Sequence, residues 1–137
     1  MRVEAAAQTD VGRVRENNED TYLIRPELGL YIVADGMGGH LGGKRASMLA
    51  VDAVGRFVEE HFEGFERGAQ AAPIESSPVP RLLAEAVREA CAAIFDASQE
   101  DPELHGMGTT VTAMMFLASR AFVGHVVDSR CYLRRGP

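Results

Sequence analysis

Residues 30–34 form an unbroken apolar run rich in β-formers, and the run ends in Asp35 before a loop carrying Gly36, Gly38, Gly39, Gly42 and Gly43. Such a run reads as a strand buried on both faces or nearly so. Asp35 then sits where the strand leaves the core. Five glycines so close together let the backbone turn tightly or bring its amides and carbonyls against a ligand, at an entropic cost that a structural turn alone does not require. From Arg45 onward, Ala46, Leu49, Ala50, Ala53, Val54, Phe57 and Val58 recur at three and four, which predicts a helix from the loop to about Phe62.

The flanking sequence predicts more strands. Residues 3–8 are expected as a first strand, and 21–25 with 29–34 as an antiparallel hairpin across Pro26-Glu-Leu-Gly29. The Gly, Ala, Ser and Pro of residues 63–80 predict an exposed connection. A second core-facing helix follows through Leu82, Leu83, Ala86, Val87, Ala90, Ile94 and Phe95, and stops at Asp101-Pro102. Residues 111–117, 121–127 and 131–133 read as strands joined by turns too short for parallel crossovers. Strands, two helices and strands again predict an α+β chain with helices on the face of an antiparallel sheet.

At 137 residues the chain is read as one domain, 1–137, with room for a real core. A net charge of −6 argues against nucleic acid as a partner. Cys91 and Cys131 make neither a disulfide framework nor a zinc cluster, and no apolar run approaches bilayer length. A cytoplasmic protein that binds no membrane is the expectation.

Asp20, Asp35 and Asp128 all fall at strand–loop junctions, whereas His and Cys do not cluster at ligand spacing. Oxygen-only ligand sets suit Mg²⁺ or Mn²⁺. The acids therefore fit a two-metal hydrolase, in which shared carboxylates hold ions roughly 3.5–4 Å apart and a bridging water becomes the nucleophile. Asp35 is the best bridging candidate. His40, inside the glycine loop, is a candidate general acid, weighed against a loop histidine that only bonds the backbone. Arg15 is a candidate ligand for a phosphate oxygen, weighed against a solvated loop arginine. A rival reading is a nucleotide-binding P-loop, since Gly38-Gly-His-Leu-Gly-Gly-Lys44 fits G-x-x-x-x-G-K. Arg45 stands where that motif needs Ser or Thr, and the later strands look antiparallel.

Four stretches taken together, Thr9-Asp-Val-Gly-x-Val-Arg-x-Asn-Asn-Glu-Asp20, Val33-Ala-Asp-Gly-Met-Gly-Gly-His40, Gly108-Thr-Thr110 and Asp128-Ser-Arg130, resemble the bacterial branch of the PPM/PP2C metal-dependent serine/threonine protein phosphatases. The resemblance implies two antiparallel sheets face to face with helices outside, in α-β-β-α layers, of which this sequence supplies the N-terminal part. It implies hydrolysis of phosphoserine and phosphothreonine in proteins by a water held between two Mn²⁺ or Mg²⁺ ions, with a third ion possible. Asp35 then matches the acid bridging both metals, the Gly36 carbonyl a ligand of one, Glu19 and Asp20 the acidic pair at the cluster, Arg15 the phosphate grip, and Asp128 an acid of the third site. Phosphoprotein substrates of a bacterial Ser/Thr kinase are the implied partners.

The family's domain is longer, and the part after this stretch supplies the last two metal-binding acids. A remnant that binds without turnover is therefore the alternative. Val127 stands where the family has Gly in its Gly-Asp-Ser-Arg turn, and a β-branched residue is strained there if φ must be positive.

Overall fold

In strand β2 (Leu30–Met37), Leu30, Ile32, Ala34 and Gly36 are buried while Val33, Asp35 and Met37 are exposed. The alternation corrects the reading of a strand covered on both faces: only one side of it is covered. The computed structural model describes residues 2–38 and 41–136. β2 pairs antiparallel with β1 (Asp20–Arg25) on one side and with β4 (Val111–Leu117) on the other, and β4 pairs with β5 (Arg120–Val126). The short β3 (Gly108–Thr109) continues the β4 side past the end of that ladder. The sheet order is β1-β2-β4-β5, with every pairing antiparallel. No parallel strand–helix–strand unit is present among the described residues, which removes the frame that a P-loop reading requires.

Two helices, α1 (Gly42–Ala71) and α2 (Val79–Glu100), pack on one face of the sheet. The core lies between them and the strands: Ala50, Val54 and Val58 of α1 and Leu82, Leu83 and Ala86 of α2 meet Leu30, Ile32, Ala113 and Met115. The described residues thus form an α+β chain with one sheet and one helical layer, two of the four layers that the resemblance implies. The opposite face carries Tyr22, Val33 and Val123, each 43–49% exposed.

Three boundaries differ from expectation. The first helix runs on to Ala71 because Phe62, Phe65 and Ala69 extend the apolar stripe beyond Val58 and rest against the core, so tertiary burial outweighs Gly64 and Gly68. Residues 3–8 form no strand; residues 5–7 lie beside Tyr22 and Val33 without entering the sheet. Residues 131–133 are likewise irregular, since no strand among the described residues lies alongside to pair with them. The hairpin is formed, and the second helix ends where expected, with Asp101 Oδ1 accepting from the Glu103 N–H at 2.9 Å. No helix among the described residues is long and apolar enough to cross a membrane.

Candidate metal centre

The hairpin register makes Asp20 and Asp35 direct partners across β1 and β2, so their side chains leave the sheet side by side on the face away from the helices. Burial raises the proton affinity of the Asp35 carboxyl above its ordinary value; the charge of Asp20, a hydrogen bond shared with Asp20 and the charge of Asp128 raise it further, while Arg15 acts in the opposite direction. Asp20 and Asp35 are thus side by side, with Asp128 and Arg15 near enough for their charges to act on Asp35. Arg15, Glu19, Asp20, Asp35 and Gly36 line one cleft of about 190 Å³.

The main chain beneath is held from several sides. The Glu19 carbonyl accepts from the Gly36 N–H at 3.3 Å and from the Ser47 hydroxyl at 2.6 Å. Lys44 Nζ donates to the Asp20 carbonyl at 2.6 Å and to Thr21 Oγ1 at 3.3 Å. This use of Lys44 corrects the P-loop reading, which needs the ammonium free at a phosphate. Asn18 Oδ1 accepts from the Asp20 N–H at 3.0 Å. On the far side, the Asp35 N–H donates to Thr110 Oγ1 at 3.0 Å, and Thr110 Oγ1 lies 2.6 Å from Ser129 Oγ, beside Asp128.

Glu19 goes the other way. Like Thr21, which bonds Ser47 of α1, it faces the helix, and its carboxylate packs against Gly43; one oxygen, Oε1, is buried with no hydrogen-bond partner. Val127 has φ +77°, so the turn that carries Asp128 does demand the left-handed conformation that suits Gly. His40 lies outside the described residues.

The donor chemistry fits a hard cation in part. Two adjacent carboxylates, with the proton affinity of Asp35 raised, and the main-chain carbonyl of Gly36 are oxygen donors of the kind such an ion takes, while the unpartnered Glu19 oxygen lies on the helix side. Yet among the described residues no group of three or more His, Cys, Asp or Glu side chains is gathered closely enough to hold an ion alone. Asp20 and Asp35 are thus a pair of oxygen donors and not a closed cluster. Lys44, Ser47, Thr110 and Ser129 were missed as site residues in sequence reasoning. The Gly108-Thr-Thr110 stretch signalled Thr110 by resemblance, but nothing local assigned it a partner.

The family model for Protein phosphatase 2C matches residues 12–136. The chain belongs to the protein phosphatase 2C family. Among its relatives, serine/threonine protein phosphatase PstP of Mycobacterium tuberculosis is 39% identical over 133 residues, covering 95% of this chain and 22% of that protein. Serine/threonine phosphatase stp of Listeria monocytogenes is 33% identical over 132 residues, covering 94% and 49%. The crystal structure of the PstP catalytic domain in complex with two manganese ions superposes with a TM-score of 0.72 at 36% identity, over 91% of this chain and 48% of that one. This protein phosphatase 2C chain spans half or less of the length of these relatives. Its α+β fold is that of the corresponding part of the family's fold.

Proposed function

We propose that this chain carries the N-terminal half of a metal-dependent protein phosphatase centre that hydrolyses phosphoserine and phosphothreonine in proteins, in the cytoplasm and in opposition to a bacterial Ser/Thr kinase. The observation that supports it is the pairing of Asp20 with Asp35 in a cleft that Arg15 also lines, with the charge of Asp128 acting on Asp35. Asp20, Asp35 and the Gly36 carbonyl would hold two Mn²⁺ or Mg²⁺ ions, Glu19 would support the cluster from the helix side, and Asp128 would serve a third. Bound ions supply Lewis-acid stabilisation of phosphoryl charge and acidify water.

The chain's own residues do the rest. The Arg15 guanidinium can take two phosphate oxygens at once and fix the phosphorus over the acids. Lys44, Ser47 and Asn18 restrain the backbone of residues 19 and 20, so the Asp20 carboxylate is oriented before substrate arrives. Proton delivery to the leaving serine or threonine oxygen is assigned to His40 on sequence position alone.

A second reading, a phosphoprotein-binding module without turnover, is favoured by the absence of a closed three-acid cluster among the described residues. Hydrolysis of p-nitrophenyl phosphate by the purified chain with Mn²⁺, Mg²⁺ or EDTA, beside Asp35→Asn, separates the two. Metal-dependent release lost in the variant is the expected result. Folded protein that releases no more product than the variant would sink the catalytic reading.

A further inference from the structure

Thr110 interrupts the sheet at the pair that matters most for the acids. The pairs Val33 with Thr112 and Gly36 with Thr109 fix a register in which Thr110 stands opposite Asp35. The Phe116 N–H donates to the Gly29 carbonyl at 2.8 Å; counting from there in twos makes Asp35 and Thr110 a hydrogen-bonded pair, which in a regular antiparallel ladder exchanges both N–H···O=C bonds. Only one of the two is made. The Thr110 N–H donates to the Asp35 carbonyl at 2.9 Å, but the Asp35 N–H donates to the Thr110 hydroxyl oxygen instead of the Thr110 carbonyl. That carbonyl accepts from the Thr109 hydroxyl at 2.9 Å. The ladder is broken there into β3 and β4.

The irregularity has a use that a regular ladder lacks. A carbonyl in the ladder would end the hydrogen-bond chain at the sheet, whereas the Thr110 hydroxyl carries it on to Ser129 Oγ at 2.6 Å, in the turn that holds Asp128. Thr110 is 1% exposed, so its hydroxyl has no competing water. The same turn holds Val127 at φ +77°, against the preference of a β-branched residue, and so needs an anchor.

We infer that Thr110 is a positioning residue whose hydroxyl, shared between the Asp35 amide and Ser129, latches the strand carrying Asp35 to the turn carrying Asp128 and sets the separation of the two acids. The functional half of this inference rests on the metal-holding role proposed for those acids. In this role Thr110 and Ser129 are not ligands; they act through Asp35 and Asp128.

The latch is tested first without metal, by amide hydrogen exchange of the whole chain. The Asp35 amide exchanges slowly in the wild type, at least tenfold faster in Thr110→Val, near the wild-type rate in Thr110→Ser, and measurably faster in Ser129→Ala. Unchanged Asp35 exchange in Thr110→Val overturns the latch. Mn²⁺ titration by calorimetry then tests its purpose. Thr110→Val and Ser129→Ala each weaken binding about tenfold, the range seen when a group behind a metal ligand is lost, with no further loss in the double variant and recovery in Thr110→Ser. Wild-type affinity in Thr110→Val, or additive losses in the double variant, overturns the inference. A wild-type chain that binds no Mn²⁺ overturns the proposed function, and the exchange experiment still decides the latch. Ser129→Ala replaces a half-buried hydroxyl and keeps the test open should Thr110→Val fold poorly.

Discussion

Glu19 and Gly43 share one space: a β-carbon on Gly43 would lie 2.7 Å from the carboxylate carbon of Glu19 and 2.8 Å from the Met37 amide nitrogen. The start of α1 is thereby pressed onto the strands that carry the acids. Gly36 repeats the theme from the strand side, where a β-carbon would strike the Gly43 carbonyl and stand 2.8 Å from the Glu19 carbonyl oxygen. At Gly36 a side chain is excluded because backbone meets backbone, and at Gly43 because the Glu19 carboxylate and the Met37 amide already fill the space.

Gly36→Ala is accordingly expected to cost about 3 kcal/mol, since neither carbonyl can move aside cheaply. Gly64→Ala, in the interior of α1 with open space around it, is expected to stabilise by about 1 kcal/mol. Urea denaturation of both variants measures the contrast; equal effects would remove the close-approach argument.

The raised proton affinity of Asp35 sets a pH dependence for the metal-free protein. A carboxyl whose pKa is higher folded than unfolded contributes stability that is complete below the unfolded value and is lost as pH rises through the folded one. Asp35→Asn should therefore match the wild type at acidic pH and exceed it in stability at neutral pH. Saturating Mn²⁺ should reverse the order, because ligand bound only to the folded wild type stabilises it, by about 2.7 kcal/mol at a hundred times Kd. Thermal unfolding across pH, with EDTA and with Mn²⁺, reads both signs.

Val127→Gly should stabilise the chain by about 1 kcal/mol, as relief of a β-branched residue at φ +77° exceeds the entropy that glycine adds to the unfolded state. Val127→Ala should recover only part of this. Chemical denaturation of both variants, with Val123→Ala as an exposed strand control, provides the measurement.

Ala118 and Ser119 join β4 to β5 in a two-residue loop with φ of +51° and +60°, the signs a type I′ turn requires. Neither residue favours that region. Replacing the pair with Asn-Gly is expected to raise stability by about 1 kcal/mol and to leave metal binding unchanged, since the loop lies at the opposite end of β4 from Thr110. A shift in denaturation midpoint with an unaltered Mn²⁺ titration is the expected result.

Much of this was legible in the chain. The hairpin, both helices, β4 and β5 announce themselves by period and by turn residues, and the junction acids were visible as acids at strand ends. Local propensity ends the first helix too early, because Gly64 and Gly68 weaken it, while the burial of Phe62, Phe65 and Ala69 that outweighs it depends on the core they reach. Residues 3–8 and 131–133 carry a local strand signal, but a strand exists only with a partner. Lys44 looked like a phosphate ligand because its spacing is local and its true acceptor, the Asp20 carbonyl, is 24 positions away.

The sequence by itself determined the hairpin, the two helices, β4 and β5, that an acid lies near the end of β2 before a glycine loop, and, through four motifs together, the family. Only the tertiary structure decided that Asp20 faces Asp35, that Glu19 turns to the helix, that Thr110 ties Asp35 to Ser129, and that Val127 is held at positive φ. The division has a physical cause. Periodicity, capping and turn preference act over a few neighbouring residues and are written locally, whereas register, close approach and the electrostatics of converging acids arise only when segments 15 to 93 positions apart are packed against one another.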